Sequence, residues 1–289
     1  MKKLITAFNR LIISISLIEF LIINQGSYAF FPSINEPSKN ELKSTSIKMR
    51  RTAIQLIQYG QYQEAVKVLE LAVKLNPQEE NLWLTLSEAQ FRLNNIKNSI
   101  KSLDKVLALN PKNEAAYFRK GSIYMNSKDL EKAISMFKKV LSLDDKNETV
   151  YFQLGNAFLM LKEYKLALNT YEKVTRLNPN FWQVINNQGL ILYEINKVEE
   201  AISKFKLAAK LSNNAEPKLA LAISIYSKEG KSIDTLDIAK KALINNPKYA
   251  FIEYQSEQLW GKKLKKSAQL LFKTKEMKKA VKEAKENSQ

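Results

Sequence analysis

The sequence predicts an all-α solenoid: six antiparallel helical hairpins of 34 residues, in register from Ser46 to Tyr249, closed by a C-terminal capping helix. Three observations predict it. Pro77, Pro111, Pro179 and Pro247 are spaced by 34, 68 and 68 residues, and the two skipped positions hold the turn formers Asp145 and Asn213. Gly121, Gly155 and Gly189 lie 34 apart. Ala65, Ala133, Ala167 and Ala201 fall on the same lattice, with Ser99 and Thr235 in its gaps. One frame accounts for all of them with no insertion or deletion. Seven Gly and seven Pro in 289 residues also suit long helices with few tight turns, whereas periodic β architectures need more.

Each 34-residue unit divides into a helix A and a helix B. A small eighth residue lets helix A approach helix B, with the small twentieth residue expected opposite it. The aromatics of the fourth, eleventh and twenty-fourth positions are expected to fill the space between hairpins. Proline after helix B ends it, because it lacks an amide hydrogen and clashes with the preceding turn. One hairpin cannot bury its own apolar face, so stacking is required.

These residues resemble the tetratricopeptide-repeat family. Its fourth position reads Met49, Trp83, Tyr117, Tyr151, Ile185, Leu219, and its eighth Ala53, Ser87, Gly121, Gly155, Gly189, Ile223. The eleventh reads Leu56, Gln90, Tyr124, Phe158, Leu192, Tyr226, and the twenty-fourth Leu69, Leu103, Phe137, Tyr171, Phe205, Ala239. Gln90 and Ile223 are the clearest departures. The resemblance implies a right-handed superhelix whose concave wall is lined by helix A, and a role in holding another protein or peptide. After the last hairpin, residues 250–266 carry the apolar periodicity of a capping helix, with Trp260 a cap residue, and residues 267–289 form a basic tail.

The first 29 residues read as an address. Met1-Lys2-Lys3 and Arg10 precede an apolar run from Leu11 to Ile23, followed by Gly26-Ser27-Tyr28-Ala29. That order matches a secretory signal peptide cleaved after Ala29. An uncleaved membrane anchor is the competing reading, and the 13-residue run with Glu19 inside it is short for one. Residues 30–45, with Pro32 and Pro37, read as an extended linker. The repeats are thus expected outside the cytoplasm, in a periplasm or, in a photosynthetic source, a thylakoid lumen.

The chain has no Cys and no His. Thiol nucleophiles, disulfides, Cys/His zinc sites and His-based triads are therefore excluded. No phosphate loop, paired-carboxylate motif or metal spacing is present, so neither catalysis nor a cofactor is expected. Asp144-Asp145 sits where the lattice expects a turn.

The inward positions of helix A are free of packing demand and are the candidate partner-binding groove. They hold Arg50, Leu84, Glu88, Phe91, Phe118, Arg119, Ser122, Met125, Phe152, Gln153, Asn156, Asn186, Asn187, Leu190 and Tyr193. Phe118 and Phe152 are expected to stack along the groove floor, with Asn156, Asn186 and Asn187 beside them to bond a peptide backbone. Some members of the family grip a C-terminal carboxylate with asparagines and basic residues. Asn156 and Asn187 match the asparagines, but Phe152, Pro217 and Leu221 stand at the basic positions, so that mode is not expected.

The net charge is +17. Ten Lys and three Glu lie between Lys262 and Gln289. Lys262, Lys263, Lys265 and Lys266 are candidate contacts to anionic lipid. A nucleic-acid channel would gather Lys and Arg in the groove, whereas here the groove is mixed, holding Glu88 and Glu194 beside its arginines. The expected function is a non-enzymatic scaffold or assembly factor binding a protein or peptide. A membrane-anchored accessory role in photosynthetic-complex or pigment biogenesis, suggested by architectural similarity to cyanobacterial and chloroplast relatives of the family, is an alternative. A nucleic-acid binder is the other.

Overall fold

The computed structural model describes residues 36–288. Among them are fifteen α-helices and a short 3-10 turn, with no strand. The leader expected at residues 1–29 and the start of the linker lie outside the described residues.

Six helical hairpins follow one another. They are α1 (Lys39–Gln58) with α2 (Tyr62–Leu75), α3 (Glu80–Arg92) with α4 (Ile96–Leu109), and α5 (Glu114–Asn126) with α6 (Leu130–Leu141). Then come α7 (Glu148–Met160) with α8 (Tyr164–Leu177), α9 (Trp182–Glu194) with α10 (Val198–Leu211), and α11 (Ala215–Glu229) with α12 (Ile233–Asn245). The linker is shorter than expected, because α1 begins at Lys39. Ser38 and Glu41 form a capping box: the Glu41 carboxylate accepts from the Ser38 backbone N–H at 2.8 Å, and Ser38 Oγ accepts from the Glu41 N–H at 3.3 Å.

Two kinds of turn repeat on the lattice. Between helices A and B, the residues at 60, 94, 128, 162, 196 and 230 all have positive φ. At the first five, the following N–H bonds the carbonyl five residues back, as Asn95 does to Gln90 at 2.8 Å. This is the Schellman closure of a helix C-terminus. In the sixth hairpin Gly230 has φ 80 and ψ −153, a conformation open to glycine alone, and α12 starts one residue late. Between hairpins, the side chains of Asn110, Asp144, Asn178, Ser212 and Asn246 each accept the N–H two residues on. Asp144 thus makes the expected turn.

The twentieth residue meets the eighth in the second hairpin, where Ser99 Oγ donates to the Ser87 carbonyl at 2.8 Å, and the twenty-fourth residue meets it as well. A Cβ on Gly121, Gly155 or Gly189 would collide with the ring of Phe137, Tyr171 or Phe205, the twenty-fourth residue of the same repeat. The aromatic lies flat on the glycine, and all three rings are fully buried. Elsewhere the pair changes together: Ala53 with Leu69, Ser87 with Leu103, Ile223 with Ala239. Ile223 is therefore a volume swap, and both it and Ala239 are fully buried. Gln90 is compensated too, since its Oε1 accepts from Ser102 Oγ at 2.7 Å.

After Asn245 the expected single capping helix is broken into pieces. A 3-10 turn (Pro247–Ala250) leads to α13 (Ile252–Glu257), then a reversal at Leu259 (φ 64), then α14 (Lys262–Phe272) and α15 (Lys275–Glu286). The tail from 267 is not a free basic segment. Leu264, Ala268, Leu271 and Met277 are fully buried in one cluster with residues of the fifth and sixth hairpins. α14 packs on the A helices α9 and α11, while α15 packs on α12. Trp260 is buried against Tyr249, ring centroids 5.5 Å apart, as befits a cap residue. Its Nε1 donates to Glu216 Oε1 at 3.1 Å, and Asn186 Nδ2 donates to the same oxygen at 3.0 Å. Burial pushes the Glu216 carboxyl above its ordinary value, against the opposing hydrogen bonds from Trp260, Asn186 and Tyr249.

Two predictions follow from this packing. Gly121→Ala should cost about 1–3 kcal/mol, because the added methyl must displace the Phe137 ring. Gly121→Ala combined with Phe137→Leu, the pairing of the first hairpin, should recover part of that loss. Urea unfolding of the two single variants and the double reads the coupling, and strict additivity would refute the steric account. For Glu216 the folded carboxyl holds its proton more tightly than the unfolded one, so folding is favoured by protonation. Stability relative to Glu216→Gln should therefore fall as pH rises above the ordinary carboxyl value of 4.5, and level off below it. Unfolding midpoints of the two proteins across pH test this, and a constant gap would contradict it.

Candidate functional site

The wall formed by the A helices divides into an open and a covered stretch. The open stretch runs over α1, α3, α5 and α7. Arg50, Leu84, Glu88, Phe91, Phe118, Arg119, Ser122, Met125, Phe152 and Gln153 are all half-buried there. Phe118 and Phe152 do not stack on each other. Phe118 leans on Phe137 with centroids 5.9 Å apart, and Phe152 leans on Phe181 at 5.1 Å and Tyr171 at 6.4 Å. Each ring packs on aromatics of its own repeat. Ser122 Oγ donates to the Phe118 carbonyl at 3.0 Å, so its hydrogen is already committed within the helix.

Glu88 bridges two guanidinium groups. Arg92 Nε lies 2.8 Å from its Oε1, and Arg119 Nη1 3.0 Å from its Oε2. The pair with Arg119 joins α3 to α5 and fixes that side chain along the wall. Among the described residues, Arg50 and its neighbour Arg51 have no ion-pair partner. The open stretch thus carries four guanidinium groups against one carboxylate.

The covered stretch takes in the other five candidates. Asn156, Asn186, Asn187, Leu190 and Tyr193 are buried, none more than 9% exposed. They are not available to a partner: Asn186, Asn187, Leu190 and Tyr193 lie on α9, on which α14 packs, whereas Asn156 on α7 is engaged by Tyr171 and Asn187. Every residue from Val184 to Tyr193 is buried, so α9 has no free face. The asparagines satisfy neighbours instead of a peptide. Tyr171 Oη donates to Asn156 Oδ1 at 2.6 Å, and Asn187 Nδ2 donates to the same oxygen at 3.0 Å. Burial pushes the Tyr171 phenol up, which keeps it a donor. Tyr193 Oη contacts both Ser227 Oγ, at 2.7 Å, and Ser267 Oγ of α14, at 2.8 Å.

The entry of α14 is pinned by a residue the sequence reading placed in the groove but gave no role. Glu194 Oε1 accepts from the backbone N–H groups of Lys263 at 2.9 Å and Leu264 at 3.1 Å. A carboxylate at a helix N-terminus also meets the favourable end of the helix dipole. Gly261 allows the approach, since a Cβ there would run into the Glu194 side chain. Of the four lysines expected to touch lipid, Lys263 Nζ donates to Asn196 Oδ1 at 2.7 Å and Lys265 Nζ to Ser256 Oγ at 2.7 Å, whereas Lys262 and Lys266 are exposed. No group of acidic residues among the described residues is arranged to hold a metal ion. No helix among them is long and apolar enough to cross a membrane.

Family profiles described as tetratricopeptide repeat match residues 56–120, 114–147 and 149–181. No curated protein matches the chain in sequence. Among solved structures, the chain is similar to Pseudomonas aeruginosa PilF, at 21% identity and a TM-score of 0.60 over 76% of this chain and 98% of that one. It is also similar to MamA from Desulfovibrio magneticus RS-1, at 18% identity and a TM-score of 0.54, covering 58% of this chain and 94% of that one. A third likeness is to YrrB, described as a TPR protein with an unusual peptide-binding site, at 22% identity and a TM-score of 0.51 over 61% and 93% of the two chains. At these identities the likeness is one of fold. The profiles, the 34-residue lattice and the stacked hairpins converge: residues 56–181 match the tetratricopeptide repeat, and the fold of the array is that of a tetratricopeptide-repeat solenoid.

Proposed function

We propose that this protein is a non-enzymatic scaffold that holds a segment of a partner protein on the open stretch of its A-helix wall. The observation that carries this reading is the chain's own α14. It occupies the wall over α9 and α11 through one carboxylate on its first amides and a buried apolar row, Leu264, Ala268 and Leu271. A wall that accepts one helix in this way continues, uncovered, over α1 to α7. YrrB, of the same fold, is described as having a peptide-binding site. Tetratricopeptide proteins generally act as protein-interaction scaffolds, which supports the non-enzymatic reading.

The partner's chemistry follows from the wall. Arg50, Arg51 and Arg119 suit carboxylates, bidentate where geometry permits. Leu84, Phe91, Phe118 and Phe152 supply apolar contact. An acidic segment with interspersed apolar residues fits both. The basic, apolar and small-residue order of the first 29 residues supports action outside the cytoplasm, as an assembly factor for extracytoplasmic complexes.

Affinity capture from the source organism, read by mass spectrometry, tests the groove. Phe118→Ala with Arg119→Glu should reduce recovery of the wild-type partner by about tenfold or more, the scale of losing a central interface residue. Circular dichroism on the variant confirms its fold, and unchanged recovery would rule the groove out. N-terminal sequencing of the mature protein tests export: it should begin at Phe30, and finding Met1 on a soluble mature chain would refute cleavage.

A further inference from the structure

The C-terminal helices carry a second surface that the groove reading does not use. On α14, Lys262, Lys266 and Lys273 recur at helical spacing along one exposed face, with Leu270, 54% exposed, beside them. On α15, Lys278, Lys282 and Lys285 recur at i, i+4 and i+7. The two stripes meet where α14 ends. There, Lys273, Lys278, Lys282 and Lys285 surround a cleft of about 400 Å³ with Phe272 and Val281 at its base.

The charges are segregated, not mixed. Glu276 and Glu283 lie on the opposite flank of α15, lining a separate cleft against α12, where Glu276 pairs with Lys231. Among the described residues lining the lysine-side cleft the one carboxylate is Glu286, 3.8 Å from Lys282. Among the described residues, Lys262, Lys266, Lys273 and Lys278 have no ion-pair partner. Lys285 lies over the Phe251 ring, 5.8 Å from its centroid, which orients its ammonium group without neutralising it. Among the described residues lining the cleft, four ammonium groups thus stand against one carboxylate.

We propose that this cleft binds an anionic amphiphile, with the headgroup of an anionic phospholipid among the lysines and its first methylenes on Phe272 and Val281. The apolar base separates this from a site for a bare anion, and the exposed Leu270 adds apolar surface on the same side. The lysine stems cover apolar chain while their ammonium groups stay at the headgroup level. The site is distinct from Lys263 and Lys265, whose ammonium groups are already hydrogen-bonded. It is also independent of the groove reading.

Calorimetric titration of the full chain tests it, using monomeric dihexanoyl phosphatidylglycerol as the probe. Dihexanoyl phosphatidylcholine, inorganic phosphate and hexaglutamate serve as comparisons. Phosphatidylglycerol should bind most tightly, weakening as salt is raised. Lys278→Gln with Lys282→Gln should weaken it by about thirtyfold, since each lysine near an anionic surface contributes on the order of 1 kcal/mol. Both side chains are exposed, so the fold should be unaffected, and Lys101→Gln, at an exposed position of α4, serves as a variant that leaves this binding unchanged. Equal binding of phosphatidylcholine would overturn the proposal, as would an unaffected double variant. Phosphate or hexaglutamate matching phosphatidylglycerol would show a site that reads charge alone and would overturn it equally.

Discussion

The close approach of the two helices within each hairpin is the constraint on which the rest depends. In the three middle-to-late hairpins an aromatic ring fills the place a side chain would take at Gly121, Gly155 or Gly189. A ring in that place both closes the hairpin and offers its far side to the core. The remaining hairpins reach the same spacing with different partners, down to the reversed pair Ile223 and Ala239. Conserved volume, more than residue identity, therefore keeps the period at 34. A period held without slippage places every inter-helix turn in the left-handed region at the same offset, at 60, 94, 128, 162, 196 and 230. Regular turns in turn align the A helices as one wall.

A stack of hairpins ends with an uncovered apolar face, and the way this chain covers it decides what the wall can bind. α15 covers the B side of the last hairpin, and α14 turns back over the A side. The second choice removes the wall over α9 and α11 from use. Polar residues are buried there and in the neighbouring hairpin. Asn156, Asn187 and Tyr171 lie in a buried setting, where each needs a partner, and they supply one another. Glu194 serves the first amides of α14, and Glu216 is enclosed by Asn186 and Trp260. Amides on the inner wall of such a solenoid are thus explained by its own closure before any ligand is considered.

The array was legible in the sequence because its steric demands recur at a fixed interval, so that weak signals at single positions add. Gln90 and Ile223 looked like departures because only one member of each pair was weighed. Ser102 and Ala239 complete them. The left-handed turn was less visible, since Lys128 and Lys162 hold it in two hairpins where Gly or Asn would have marked it. The start of α1 had a local signal, Ser38 and Glu41 in capping-box spacing, that the nearby prolines outweighed. Of the candidate site, the stretch on α1 to α7 was legible because helix A positions transfer from hairpin to hairpin. The covered stretch was not, because it depends on Glu194 meeting Lys263 and Leu264 some 70 residues later. Once the lattice stops, no period reports where the chain goes, and Gly261 was the one residue whose smallness hinted at a close approach.

The electrostatic character of the wall is a consequence of that same reversal. Read along the sequence, the groove looked mixed, with Glu88 and Glu194 beside its arginines. In the structure Glu194 faces the N-terminus of α14, and its charge is engaged by amide groups and the helix dipole. Glu88 remains, but held between Arg92 and Arg119. The open stretch therefore presents an excess of guanidinium groups, and the lysines of α14 and α15 are displayed on a different face. Part of the net charge of +17 thus sits on two surfaces of different chemistry. Guanidinium groups among aromatic rings suit directed contact with carboxylates on a polypeptide, whereas ammonium groups on flexible stems around an apolar cleft suit a headgroup. The arm that ends the solenoid sets the sign of the first surface and is itself the second.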